Sequence, residues 1–219
     1  HSDFPVLILV VPASAISNLW SPNSFSPLIR LLAEEGDYSD AIAFGDHLCK
    51  IPGFIAEGGA KNIARRDGMG VSLLAAYVKI KESFVNKQIP MLHYFQAVGS
   101  GTGGIAAIEA AQRLGSKIQL HLSQHSPFVP MVDSWDKRDR AMPSYCSDHS
   151  YCSELISKVS AQVLTNRRPP WGINGGLFDC LAASDGKMYR VTNEEAHAAG
   201  DLFQSLEKNV LDQAADVAV

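Results

Sequence analysis

The chain has 219 residues, and 19 Lys+Arg against 23 Asp+Glu give a formal charge of −4. That balance excludes a generally basic nucleic-acid binder, 46% apolar and 19% charged residues exclude a disordered chain, and no stretch approaches the roughly 18 apolar residues of a membrane span. Four Cys are too few for a disulfide framework and point to a reducing, cytoplasmic setting.

Pro5–Val11 reads as a buried-type strand, after which Pro12 to Ser14 open a helix toward Trp20. Ser21 to Pro27, with two Pro and three Ser, is a loop. Asp40–Gly45 reads as a second short strand and Gly53–Ala56 as a third, closed by Gly58-Gly59, where the chain passes from one subdomain to the next. Asn62 to Lys81 is helical, with Leu73, Leu74, Tyr77, Val78 and Ile80 as the expected buried face. Met91–Val98 is a strand, Gly104–Leu114 a helix and Lys117–Leu122 the next strand. Asp133 to Tyr151 is polar and irregular, and residues 154–165 and 194–208 read as helices. Strands alternating with helices imply βαβ units and a mostly parallel sheet, so the fold class is α/β. The start at His1, directly before a strand, and the uncapped alanine-rich end at 212–219 read as an internal stretch of a longer protein with no signal peptide.

Gly99-Ser100-Gly101-Thr102-Gly103-Gly104 carries the most chemistry. It follows a strand and opens a helix. Glycines allow positive φ, so successive N–H groups can turn toward one point, and at a helix N-terminus such a nest binds an anion. Ser100 and Thr102 add hydroxyl donors, and a phosphate is the natural occupant. Gly99, Gly101 and Gly104 satisfy G-x-G-x-x-G, yet the following strand ends His121-Leu122-Ser123-Gln124, without the acid that a dinucleotide site wants. A Walker A loop needs Lys after its last Gly, where this chain has Ile105. The bland alternative is a glycine-rich turn that binds nothing.

Together with its neighbours the loop resembles the pyridoxal-phosphate enzymes of fold type II, the tryptophan-synthase-β type. Within them it is similar to the threonine-synthase-like branch and there to the cysteate synthases. The resemblance is carried by Phe4–Ser14, Glu57–Met69, Tyr94–Ala107, Leu122–Met131 and Trp171–Asp179, with Glu57–Met69 and Leu122–Met131 pointing to cysteate synthase. It implies parallel sheets flanked by helices, incomplete in this chain. Residues 1–56 would be the remainder of a small, mobile subdomain, and residues 57–219 part of the large cofactor-phosphate-binding domain. It implies pyridoxal 5'-phosphate as cofactor, with its phosphate on Gly99, Ser100, Gly101, Thr102, Gly103 and Gly104. The reaction implied is β-replacement, L-phosphoserine plus sulfite to L-cysteate plus phosphate, toward coenzyme M. Its partners would be small anions and a homo-oligomeric assembly, with no nucleic acid and no membrane.

No Ser-Phe-Lys-Asp-Arg-like motif occurs, and no Ser-x-x-Asn-Thr-type motif. The resemblance implies that the Schiff-base Lys and the Asn at the pyridine hydroxyl precede His1. The residue facing the ring nitrogen would follow Val219. This stretch alone would then carry no catalytic residue and be inactive. Threonine synthase, which acts on phosphohomoserine, is the near alternative, and a non-catalytic nucleotide- or phosphate-binding domain the distant one.

For substrate anions, Lys61, Asn62, Arg65 and Arg66 are the candidates, since Lys61 and Arg65 share a helix face at i,i+4 and Arg forks suit phosphate and sulfonate oxygens. A solvated basic patch, with Asn62 as a helix N-cap, is the competing reading. Cys146, His149 and Cys152 offer three soft ligands where structural zinc wants four, so no metal is expected. His121 and His125 flank a strand end where parallel sheets place ligands, although a packed or solvent-facing histidine is the better reading, since nothing nearby in sequence forms a base–orienter pair. Trp135 and Trp171 read as core or interface anchors.

Overall fold

The computed structural model describes residues 5–18, 26–84 and 91–219. The chain divides into two compact units, His1–Glu57 and Gly58–Val219.

In the first unit, β1 (Leu7–Pro12) pairs in parallel with β2 (Ile29–Glu34), Leu7 opposite Ile29. A 3-10 helix, Ala13–Asn18, follows β1. The rest of the helix expected toward Trp20, and most of the loop from Ser21 to Pro27, lie outside the described residues. The strand expected at Asp40–Gly45 is instead part of a helix, α1 (Tyr38–Leu48). Its cause is a capping box. Asp37 accepts from the Ser39 and Asp40 amides at 2.7 and 3.2 Å, and Asp40 accepts from the Asp37 amide at 2.9 Å. A short apolar run does not choose between helix and strand; the cap does. Gly53–Ala56 is irregular rather than a strand.

The second unit opens with a 3-10 turn at Gly59–Lys61 and α2 (Ile63–Ser83). Of the expected α2 face, Tyr77 is buried, Leu73 and Leu74 pack on the core, and Val78 is exposed. β3 (Leu92–Ala97), β4 (Ile118–His125) and β5 (Lys187–Val191) then form one parallel sheet in that order, with Leu92 opposite Ile118 and His121 opposite Lys187. β4 is central, hence its near-continuous burial. Leu120 and Leu122 face a core built with α3 (Thr102–Arg113), whose Ile105, Ala107, Ala110 and Ala111 are buried.

Between β4 and β5 the expected irregular stretch is more ordered than its polarity suggests. It holds α4 (Pro130–Asp136) and the start of α5 (His149–Ser157). α4 begins where the buried Gln124 accepts from the Met131 and Val132 amides at 2.8 and 3.0 Å. Asp148 caps α5 through the Tyr151 amide at 3.0 Å. The helix expected across 154–165 ends at Ser157, and a separate 3-10 turn covers Gln162–Leu164. α6 (Leu177–Ala183) and β5 were not expected, whereas α7 (Asn193–Glu207) falls where a helix is read from the sequence. A final turn, α8 (Gln213–Asp216), follows it. Among the described residues no helix is long and apolar enough to cross a membrane.

Candidate functional site at the glycine turn

The turn at 99–104 joins the C-terminal end of β3 to the first residues of α3, the edge at which parallel sheets place ligands. Gly101 is the N-cap of α3 in the left-handed region, φ 80°, with no side chain capping the helix. The first ladder bond is Ile105 N–H to the Gly101 carbonyl at 3.3 Å. The amides of residues 102–104 therefore precede the helical ladder, as at any helix start. Ser100 and Thr102 hydroxyls are 3.0 Å apart, and the Thr102 amide leans on Ser100 Oγ at 3.5 Å.

Each glycine of the turn also has a packing reason. A Cβ at Gly99 would meet the Leu164 carbonyl oxygen at 3.1 Å, and one at Gly104 would meet Leu177 Cδ1 at 2.7 Å. At Gly101 it would collide with Leu177, and at Gly103 with the Gln96 carboxamide. Leu177 is fully buried, so it cannot swing away. Its contact with the turn, across more than seventy residues of sequence, left no local signal to read.

The four other site candidates are not at this turn. Asp67 pairs with Arg113, Arg66 with Glu109, and Gly70 faces Ala106 and Ala110. α2 therefore runs antiparallel to α3. Arg66 lies about 10 Å along α3 from its start at 1.5 Å per residue, and Lys61, Asn62 and Arg65 lie toward the same far end. Asn62 caps α2 through the Arg65 amide at 3.2 Å. Arg66 Nε donates to both Glu109 oxygens at 3.0 Å and its Nη1 to the Ala60 carbonyl at 2.6 Å. This half-buried fork ties the 59–61 turn and α2 to α3. Arg66→Gln is expected to cost about 1–3 kcal/mol of stability, as Glu109 loses its charged partner. Phosphate affinity should stay within about twofold of wild type, a difference of under half a kcal/mol. Chemical denaturation and a phosphate titration read the two effects separately.

His121 is mid-strand rather than at a strand end. It stacks on Phe95 at 4.5 Å, its Nε2 faces His93 Nδ1 at 2.9 Å, and its Nδ1 faces the Tyr189 hydroxyl at 2.7 Å. A cleft of about 280 Å³ along that sheet face is lined by Phe95, His121, Ser123, Tyr189, Glu195 and Val219, and no residue of the glycine turn borders it. His125, the last residue of β4, is buried; its Nδ1 accepts from the Ala161 amide at 3.3 Å. Burial, then His93 and Lys187, hold His121 below the ordinary imidazole range, and burial, then His197, do the same to His125. The fold thus prefers both rings neutral, and on acidification the unfolded chain takes up protons first. Stability is expected to fall as pH drops below about 6.5, with the melting temperature read from about pH 8 to about pH 5. His125→Asn should flatten that slope.

Among the described residues no three His, Cys, Asp or Glu side chains converge as a metal site. Cys146 and Cys152 are buried, and Cys152 donates to the Tyr145 carbonyl at 3.2 Å. Burial, with Cys152 and Asp133 nearby, pushes the Cys146 thiol up to about 12. Trp135 and Trp171 are buried in the core, both edge-on to Phe178 at 5.5 Å.

No family model matches the chain. Curated relatives do, and two of them serve as examples. The cysteate synthase of Methanoculleus marisnigri is 50% identical over 97% of this chain and 49% of its own length. That of Methanocorpusculum labreanum is 49% identical over 97% of this chain and 52% of its own. The chain thus spans about half the length of the curated relatives it matches. Among solved structures, a pyridoxal 5'-phosphate-dependent aspartate racemase superposes with a TM-score of 0.65 over 97% of this chain and 58% of its own, at 14% identity. Parallel sheets flanked by helices, laid out as in fold type II, here carry a chain that corresponds in sequence to about half of a cysteate synthase.

Proposed function

We propose that this chain is the part of a cysteate-synthase-type enzyme that holds the phosphate of pyridoxal 5'-phosphate. The Gly58–Val219 unit acts as the cofactor-phosphate-binding domain, and His1–Glu57 belongs to the smaller, mobile subdomain. The observation that carries the reading is the 99–104 turn, with left-handed Gly101 uncapped at the start of a twelve-residue helix. The turn fits a phosphoryl group. The amides of residues 102–104 and the positive end of α3 attract the anion. The Ser100 and Thr102 hydroxyls bond each other at 3.0 Å, which leaves one O–H of the pair to donate to the anion. No charged side chain is needed, in keeping with the distance of Arg66 from the turn.

Pyridoxal phosphate, when bound, supplies an electron sink for a carbanion at the amino-acid α-carbon. The substrates are L-phosphoserine and sulfite, and the products L-cysteate and phosphate. This chain's share is to anchor the cofactor by its phosphate and so fix the ring's position for the reacting groups.

A product assay of the full-length protein tests the reaction. Cysteate from phosphoserine and sulfite is expected; threonine from phosphohomoserine, with no cysteate, would overturn it in favour of the near relative. In the 219-residue chain, borohydride after incubation with pyridoxal phosphate should leave no pyridoxyl-lysine at a defined position, because none of its lysines stands in a Ser-Phe-Lys context. A single, stoichiometric labelled lysine would contradict the division of labour proposed here.

A further inference from the structure

The two faces of the β3–β4–β5 sheet are covered unequally. On the Leu120 and Leu122 face the core is built with α2, α3 and α6. On the opposite face Ala196 of α7 and Val217 pack on Ala97 and Val191, at the carboxyl ends of β3 and β5, and Ser123 Oγ donates to the Val217 carbonyl at 2.6 Å. Toward the amino ends that face is open. Phe95 is 57% exposed and Tyr189 39%. Between them lies the buried His121, its ring 16° from the plane of Phe95 and 19° from that of Tyr189. Both His121 nitrogens have partners inside the patch, His93 at 2.9 Å and the Tyr189 hydroxyl at 2.7 Å. The result is a shelf of near-parallel rings whose buried imidazole is already satisfied, so an apolar surface can close over it without stranding that ring's hydrogen bonds.

Parallel strands are joined by crossovers, usually helices, that lie on the faces of the sheet, so such sheets are built with both faces covered. An open aromatic shelf in mid-sheet marks a surface that another element occupies. The curated relatives are about twice the length of this chain. We propose that the shelf of Phe95, His121 and Tyr189 is the seat of helices from the half of the full-length protein that lies outside this chain. That half has ample length for the task, and crossovers within one sheet keep the cover in the same polypeptide. The inference goes beyond the phosphate-binding reading and rests on the sheet and on the length of the relatives.

The test is hydroxyl-radical footprinting of the wild-type full-length protein, each ring's rate being taken relative to the unfolded protein. In the monomer Phe95 and Tyr189 should both be slowed at least about tenfold, as the buried Phe128 is. Phe95→Glu would place an unpaired charge under the cover and should lower the melting temperature of the full-length protein by at least about 5 °C. Phe95→Leu, which keeps the apolar surface, should lower it by less than half as much. If Phe95→Glu does not fold, the wild-type footprint decides. A smaller slowing of the two rings in the monomer overturns the proposal. So does protection that appears only as rising concentration drives dimers, which assigns the shelf to a second copy of the chain. A full-length protein that makes no cysteate but slows both rings overturns the proposed reaction and leaves this inference standing.

Discussion

Trp171→Ala is expected to remove about 3–5 kcal/mol of stability from the Gly58–Val219 unit. Trp171 is 1% exposed, meets Trp135 edge-on at 6.3 Å and Phe178 at 5.5 Å, and donates from Nε1 to the Asp139 carbonyl at 3.0 Å. Truncation would therefore open a large cavity and orphan a carbonyl at once. The site cannot collapse easily, because Gly172 beside it is pressed against the Arg140 backbone. For a unit of this size the loss corresponds to a melting temperature lower by about 10 °C. Trp171→Phe keeps a ring but not the donor and should lose less than half as much. Denaturant midpoints of the two variants make the measurement. An alanine variant within about 1 kcal/mol of wild type would mean that the aromatic cluster is not the keystone of this core.

Gly101→Val is expected to act on stability and on anion binding together. A valine at φ 80° is strained in the left-handed region, and its Cβ would collide with the buried Leu177. Strain of about 1–3 kcal/mol and overpacking of similar size combine to about 3 kcal/mol or more. Rotating the turn out of this conformation to relieve the clash would splay the amides of residues 102–104. Affinity for inorganic phosphate should fall at least about tenfold, the equivalent of one charge-assisted hydrogen bond. Calorimetric titration of a variant still folded at low temperature separates the two effects. Unchanged phosphate affinity in the folded variant would show that the turn's geometry is not what grips the anion.

The regions that could be read ahead of the structure are those whose signal is local. The glycine turn, β3, α3 and β4 carry hydrophobic periodicity and a strand-to-helix punctuation within some thirty residues, and the structure has them in those places. Contacts between residues remote in sequence leave no such local signal. α1 is the exception with a local cause: Ala41, Ile42, Ala43 and Phe44 form an apolar run of strand length, and the reciprocal Asp37–Asp40 cap a few residues before it decides for helix. β5 is a short edge strand with an exposed lysine and a half-exposed tyrosine, a pattern that earns its place by pairing with β4. The basic run at 61–66 looked like an anion site because charge type and spacing say nothing of direction. Glu109, on another helix, is what turns Arg66 away. Gln96 shares β3 with the polar His93, and its contact with Gly103 has no counterpart in the sequence pattern.

Leu177 fills the niches of both Gly101 and Gly104, so one aliphatic side chain on α6 is moulded to two bare backbone positions on another element. Evolutionary drift at any of these three positions is therefore constrained as a set. A methyl gained on the turn is tolerable only alongside carbon lost from residue 177. Suppressor genetics on the turn should accordingly return shortened side chains at 177, linking two stretches of chain that nothing in their linear order connects.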